Sequence, residues 1–396
     1  MNLQERLKHE GTALLLTLSF SVFIRMLGIS IVDLILSLYA NTFTNNGFLI
    51  GLAIGAFSIF QVIFMIPLGR LSDKIGRKNV ICLGISIYLI GTVLCGFATN
   101  IYILIIFRFI QGSGAFIGVI QALIGDSFQE ENKRNWAMTF YSTAVVLGYM
   151  IGLPLGGIIG SFSYQLTFFI NSFFILAGLI LILIFVKEPE SRIREIQEIT
   201  LKEKLKKVLN LKLIGCTLAG SVLFFTFGGL FGFLGVYAKS KGIDLLTLSL
   251  IMIPLILFFM SSFFLSNRLY RKIGLKWTIT TGFFISIIFL LLIVFINDNL
   301  LMIIFLAAVL FGVGLIWPLL PSIVVGSVSR EYRATASSFY NAIRLGFQAL
   351  GPIIVGLIAG TNLQNLSLSF LTIAIIVISS FFIIFYIFVK VEKNNL

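Results

Sequence analysis

The chain has 396 residues, of which 58% are apolar and 11% charged, and its mean hydropathy is +1.06. A water-soluble fold cannot hide that much apolar surface, which excludes an ordinary set of soluble domains. At about 20 apolar residues per crossing of a bilayer, the length is enough for twelve membrane-spanning helices joined by short loops.

Apolar tracts of spanning length follow one another along the chain, separated by Gly, Pro, Asn and charged residues. Twelve are predicted, at 13–40, 47–68, 79–98, 102–125, 136–160, 164–186, 213–238, 247–266, 277–296, 300–326, 334–360 and 367–389. We expect an all-α polytopic membrane protein with an N-terminal six-helix bundle in residues 1–186 and a C-terminal six-helix bundle in residues 213–396. The charged connector, residues 187–212, is either an amphipathic helix on the inner membrane surface or a solvated tether.

The formal net charge of +13 follows the topology of these tracts. Successive loops between the tracts lie on opposite sides of the membrane. Of the 29 Lys and Arg residues, 24 lie in the loops of one side and in the two tails, and two, Lys239 and Lys241, lie in the loops of the other side. The remaining three lie inside apolar tracts. Basic residues accumulate on the cytoplasmic side, so both termini are predicted to be cytoplasmic in a multi-pass protein of the cell membrane. We expect contacts with membrane lipids and none with nucleic acid.

The two halves of the sequence repeat each other. Residues 70–78, RLSDKIGRK, recur 198 positions later, half the chain length, as RLYRKIGLK at 268–276. The Gly-x-Gly sequence at 112–114 has a counterpart at 312–314. Halves of the same orientation are related by a pseudo-twofold axis along the membrane normal and rock about a central site in transporters. The repetition therefore predicts two pseudo-symmetric halves and a secondary transporter that works by alternating access.

The composition argues against catalysis. His9, in the N-terminal tail, is the only histidine, which excludes histidine-based triads and histidine metal clusters. No Gly-Lys dipeptide occurs, so there is no P-loop for ATP. We expect no catalytic residues, no metal and no cofactor, and a proton gradient as the energy source. A membrane enzyme or a receptor is the alternative from another class.

Four charged residues fall inside apolar tracts, where each needs a partner or a water-filled cavity: Arg25, Asp33, Arg108 and Arg344. Asp33 and Arg108 are predicted at similar depth, so they could pair. In one interpretation Asp33 exchanges a proton, because burial favours its neutral form and Arg108 its charged form. In the other, the two residues are a fixed ion pair between helices. Arg344 could meet an anionic substrate.

The loop at residues 69–78, GRLSDKIGRK, resembles motif A of the major facilitator superfamily, and its degenerate copy extends the resemblance over the whole chain. The resemblance implies the twelve-helix fold of that family. It also implies a conformational latch of Gly69, Asp73, Gly76 and Arg77, in which Asp73 caps a helix of the other half and Arg77 pairs with Asp126. In the second copy Arg271 replaces the aspartate, so such a latch should be asymmetric.

Two further motifs resemble the drug:proton antiporter branch, and helix 1 is similar to its YajR-like members. Arg108 with Gln111 is similar to motif B, which adds Gln111 to the candidate cavity residues. Residues 148–157, GYMIGLPLGG, are similar to motif C, although the proline is displaced by one position. Its small residues would allow close helix packing and its proline a kink. They are Gly148, Gly152, Pro154, Gly156 and Gly157.

Together these features predict a monomeric, proton-coupled exporter of hydrophobic or cationic small molecules. The alternative within transport is a carrier of one metabolite, such as a sugar, an amino acid or an organic anion. At membrane depth the sequence has three arginines and one acid. This balance favours an anionic substrate more than is typical of a drug exporter.

Overall fold

The computed structural model describes residues 3–127, 130–186, 207–296, 298–329, 332–361, 363 and 366–393. In these residues the regular elements are thirteen α-helices. Their bounds are α1 Leu3–Asn41, α2 Gly47–Ile75, α3 Arg77–Gly96, α4 Ile101–Ser113, α5 Ile117–Ser127, α6 Glu131–Phe162, α7 Tyr164–Phe185, α8 Leu211–Ser240, α9 Leu245–Phe295, α10 Asn299–Ile316, α11 Leu319–Gly326, α12 Arg333–Ala359 and α13 Leu366–Lys393.

Eleven helical segments of the described chain are long and apolar enough to cross a membrane. The longest, α9, has 51 residues, which would measure about 75 Å if straight, more than twice the hydrocarbon thickness. Its backbone leaves the helical conformation at Gly274, where φ is 79°. Only a residue without a side chain adopts that angle readily. The two arms of α9 are therefore the two crossings predicted there, and the all-α polytopic fold is confirmed.

Two predicted spans are interrupted helices. The span at 102–125 divides between α4 and α5, with Gly114 ending the first part. The span at 300–326 divides between α10 and α11 around Trp317 and Pro318. Proline has no backbone N–H to continue the helix, so the second break has a local cause. The interruptions fall in corresponding helices of the two sequence repeats.

Side chains on the loops fix where several helices begin. An oxygen of Asn100, Ser163, Asn210, Asp244 and Asp298 accepts a hydrogen bond from the backbone N–H three residues ahead. This arrangement satisfies one of the free donors of the first turn. At Asp244, outside the membrane span, the backbone N–H and hydroxyl of Thr247 lower the pKa of the carboxyl group.

The chain divides into two compact units. Unit 1 comprises Met1–Phe43 and Ala56–Ile196, and unit 2 comprises Thr44–Gly55 and Gln197–Leu396. The start of α2 thus belongs to unit 2 and the remainder to unit 1. Most of the predicted connector, including the proposed amphipathic face, lies outside the described residues. The predicted domain boundaries at 187–212 stay a prediction.

Unit 1 is built around α1, which packs along α6 and α7, while α3 packs against α4 and α7. Its apolar core includes Leu18, Val22, Tyr88, Phe116 and Ile120, all nearly inaccessible. Asn171 of α7 donates a hydrogen bond to the carbonyl of Gly28 (3.0 Å), and a Cβ at Gly28 would collide with that amide. Glycine at position 28 therefore leaves room for the Asn171 amide that joins α7 to α1.

In unit 2, α9 packs extensively on α10, and α8 packs on α12 and α13. Phenylalanine fills the interior: Phe233, Phe283, Phe370 and Phe388 are fully buried. The start of α2 packs against α12, since a Cβ at Gly51 would collide with the backbone of Pro352. Bulky rings and small residues alternate, and the small residues set the distance between helix axes.

Candidate functional site

Asp33 lies on α1 and accepts a hydrogen bond from the hydroxyl group of Tyr149 on α6 (O···O 3.0 Å). Its side chain keeps some exposure, unlike its fully enclosed neighbours Val32 and Leu34. Arg108 of α4 is near enough to act on it electrostatically. The carboxyl group therefore has one neutral donor, one nearby cation and some access to the surroundings.

Arg108 is only 4% exposed and is held on α4 by several contacts. Its guanidinium group donates a hydrogen bond to Gln111 Oε1, one helical turn away, and lies 5.0 Å from the ring centroid of Phe57. Gln111 in turn donates to the hydroxyl group of Thr92 on α3 (2.8 Å). This chain of donors orients Arg108 and joins α3 to α4.

Close packing of α6 on α1 brings Tyr149 to Asp33. A Cβ at Gly148, Gly152 or Gly156 would collide with a carbonyl oxygen of α1, belonging to Phe23, Leu27 and Ile31 respectively. These three glycines form a stripe along α6. Pro154 lies inside the same helix, and Gly157 directly follows the last glycine of the stripe. The predicted close packing is thus present, and the displaced proline does not prevent it.

The residues of motif A lie where α2 meets α3. Gly76 joins the two helices at φ 96°, and Gly274 has the same unusual conformation at the repeat offset of 198. Arg77 begins α3 and pairs with Asp73 (2.7 Å) and with Asp126 of α5 (3.2 Å). The structure therefore brings Arg77 and Asp126 together. A Cβ at Gly69 would meet nothing within 4 Å, so space alone does not require that glycine.

The remaining candidates, Arg25 and Arg344, each have their own surroundings. Arg25, two turns earlier on α1, is buried beside the rings of Tyr88 and Phe116. Arg344, in unit 2, donates through Nε to Asn341 (2.7 Å) and lies 4.2 Å from the ring centroid of Phe224. Trp317 stacks on the same Phe224. Arg344 therefore belongs to an aromatic cluster of unit 2.

The sequence profile of the Major Facilitator Superfamily matches residues 18–344 and 264–395 of the chain. The chain belongs to this superfamily. Its members are transporters for small molecules, so the protein is a multi-pass membrane transporter and not an enzyme.

Relatives of this transporter include both uncharacterised and drug-related proteins. An uncharacterised transporter of Buchnera aphidicola is 35% identical over 69% of the chain and 66% of its own length. The inner membrane transport protein YajR of Escherichia coli is 36% identical over 34% of the chain and 30% of its length. The quinolone resistance protein NorA of Staphylococcus aureus is 26% identical over 44% of the chain and 45% of its length. The chain thus aligns with about two thirds of the first and less than half of the others.

Solved structures support the fold of the transporter. A bacterial homologue of the human lysosomal transporter Spinster superposes with a TM-score of 0.79 at 19% identity, covering 96% of this chain and 98% of the other. The nucleoside transporter NupG superposes with a TM-score of 0.75 at 16% identity, covering 95% and 100%. At such low sequence identity these structural similarities are evidence for the fold alone.

The sequence identified the charged residues of the transporter and Gln111, but it did not identify three other neutral residues that contact them. Tyr149 lies between two glycines of the α6 stripe, a position that predicts an approach to another helix. Thr92 and Phe57 carry no comparable signal, because polar and aromatic residues are common throughout the apolar tracts. Their contacts with Gln111 and Arg108 depend on tertiary packing.

Proposed function

We propose that the protein exports hydrophobic or cationic small molecules in exchange for protons. The observation that carries the proposal is the position of Asp33. Among the acids that the structure describes, it alone lies in the middle of a membrane-spanning helix. An ionisable group at that depth is expensive and is typical of proton and substrate pathways.

In this mechanism Asp33 alternates between two protonation states. As a carboxylate it attracts a cationic substrate. On protonation it loses its negative charge, and the substrate is no longer attracted. Tyr149 stabilises the carboxylate by its hydrogen bond, and Arg108 competes electrostatically with the cationic substrate. The proton gradient supplies the energy, because the exchanged proton enters from the side where protons are concentrated.

A latch completes the proposed cycle. Arg77 holds α3 to α5 through Asp126 and simultaneously pairs with Asp73. Asp73 is the anion that the family resemblance assigns to a helix end of the other half, and helix N-termini attract anions. Competition between Arg77 and that helix end for Asp73 would make the latch depend on conformational state.

The test uses proteoliposomes loaded with a pH-sensitive dye and a panel of lipophilic cations, neutral drugs, sugars and organic anions. Wild type is compared with Asp33→Asn and with Asp244→Asn, the same change at an exposed helix cap where Asn also serves as a cap. Lipophilic cations should move protons in wild type and Asp244→Asn and not in Asp33→Asn. Undiminished proton-coupled efflux by Asp33→Asn would contradict the proposal.

A carrier of organic anions is the second candidate, supported by the cluster around Arg344. A guanidinium group over the ring of Phe224, on which Trp317 stacks, suits a ligand with both a negative charge and an aromatic ring. In the same assay, solute flux restricted to aromatic anions and lost in Arg344→Gln would favour this carrier. Flux of lipophilic cations that survives Arg344→Gln would exclude it.

A further inference from the structure

Arg25 is a cation in the core of unit 1, and none of the described acids pairs with it. The residue is 3% exposed, and within the described part of the chain none of its three guanidinium nitrogens has a hydrogen-bond partner. Buried charges are normally paired and fully hydrogen-bonded, because the loss of hydration is otherwise uncompensated. Five N–H donors in an apolar core therefore indicate that something else accepts their hydrogen bonds.

The described groups around Arg25 attract the cation, but none of them accepts a hydrogen bond from its guanidinium nitrogens. The guanidinium carbon lies 4.8 Å from the ring centroid of Phe116 and 5.5 Å from that of Tyr88. These rings attract the cation without neutralising its charge. The other polar groups near it are the phenol of Tyr141 and the hydroxyl of Ser21, which donates to the carbonyl of Thr17. Asp33 is eight residues further along α1, roughly 12 Å along the axis.

Arg25 borders a small cavity that limits the size of any guest. The other lining residues are Ser21, Ile24, Ile85, Tyr88, Phe116, Ile175 and Gly178. The cavity has about 10 Å³ of room for the centre of a water-sized guest. That space accommodates one water molecule or one small monatomic ion.

We propose that Arg25 and this cavity bind one chloride ion. Chloride neutralises the guanidinium charge and accepts its hydrogen bonds, whereas a water molecule leaves the charge in the apolar core. The apolar walls formed by Ile24, Ile85 and Ile175 suit a large, weakly hydrated anion. The ion would stabilise unit 1 by joining α1 to α3, to α7 and to Phe116, which directly precedes α5. The site is distinct from Asp33, so the inference holds for either direction or substrate of transport.

Direct binding of radioactive chloride to the purified full-length protein tests the site. Wild type should bind one chloride per chain, displaced by unlabelled chloride or bromide and not by gluconate, which is too large. Arg25→Met should lose this binding, Arg25→Lys should keep it at lower affinity, and Arg268→Met, the same change at an exposed arginine of unit 2, should leave it unaltered. Absence of saturable binding in folded wild type, or equal binding in Arg25→Met, overturns the proposal.

Thermal unfolding gives a second measurement that requires no variant. At constant ionic strength, replacing sodium gluconate by sodium chloride should raise the unfolding midpoint of wild type saturably, since a ligand of the native state stabilises it. The Arg268→Met protein should respond like wild type. A wild-type midpoint independent of chloride would mean that the cavity holds water, and the proposal would be wrong.

Discussion

The hydroxyl group of Tyr149 is the closest protein donor that the structure gives to the Asp33 carboxylate. Tyr149→Phe removes that donor and keeps the ring. The carboxylate then loses a stabilising hydrogen bond, so the pH profile of transport should move toward alkaline pH while the protein stays folded. The profile is measured as initial efflux rate against pH in proteoliposomes. An unchanged profile would mean that the hydrogen bond has no part in proton exchange.

Arg77 and Asp126 form a partly exposed ion pair, with side-chain exposures of 21% and 36%. Solvent screens such a pair, so a double-mutant cycle of Arg77→Ala and Asp126→Ala should give a coupling of about 1 kcal/mol or less in unfolding free energy. Transport should fall much more than stability if the pair belongs to the latch. Small and equal losses of transport and of stability would mean that the pair is only a structural contact.

Charged residues at membrane depth were predictable because each is exceptional in an apolar tract. Asp33, Arg108 and Gln111 follow from that rule and from their motif. Their actual contacts were not predictable. The sequence suggested an Asp33–Arg108 pair, whereas the hydrogen bond that the structure shows for Asp33 comes from Tyr149, since rotation of α6 about its axis decides which side chain faces α1.

At the scale of helices, the α6 stripe of glycines sets the position of the whole site. A Cβ at Gly156 would collide with the backbone of Ile31, which cannot move without shifting α1. Gly156→Ala should therefore lower the unfolding free energy by about 1–3 kcal/mol and reduce proton-coupled transport.

Gly118→Ala is the matched control for Gly156→Ala. The new methyl group would meet only Met65 Cγ at 3.8 Å, an ordinary contact, inside α5. Alanine favours helix over glycine by up to about 1 kcal/mol, so this variant should be as stable as wild type or more so. Both are compared by thermal unfolding in the same detergent. Equal stability of the two variants would show that α1 and α6 have room to separate.

The helix breaks show where prediction from sequence ends. The break at Trp317–Pro318 has a proline as its signal, and the bend at Gly274 was foreseen as a loop from the RLYRKIGLK repeat. The break after Ser113 has only Gly114 as a cue, and glycine is frequent in membrane helices that remain continuous. A Cβ at Gly114 would collide with the carbonyl oxygen of Gly84, so tertiary contact with α3 explains that glycine.

For the whole molecule, the distribution of Lys and Arg predicts the orientation in the membrane. The test places single cysteines in a chain whose Cys82, Cys95 and Cys216 have been replaced. A membrane-impermeant maleimide applied to intact cells should label a cysteine at Gly242 and not one at Lys74. Labelling of Lys74→Cys without permeabilisation would reverse the orientation and place both termini outside.

The internal repeat predicted the architecture better than any single residue did. Gly76 and Gly274 are 198 positions apart and share a left-handed backbone, so the duplication is preserved in conformation even where Arg271 has replaced the aspartate. Substrate identity has no such signal, because the lining of a cavity depends on side chains from many helices.

Two charges on α1 also affect the biogenesis of the protein. Arg25 and Asp33 each add about 2.5–3.5 kcal/mol to the cost of inserting an isolated helix near its centre. The groups that offset this cost are Tyr149 on α6, Tyr88 on α3 and Phe116 just before α5, and all of them are synthesised later. The first helix should therefore insert into the bilayer inefficiently on its own. Its insertion should become stable only after α6 has been synthesised, so the later helices of unit 1 are needed to hold α1 in the membrane.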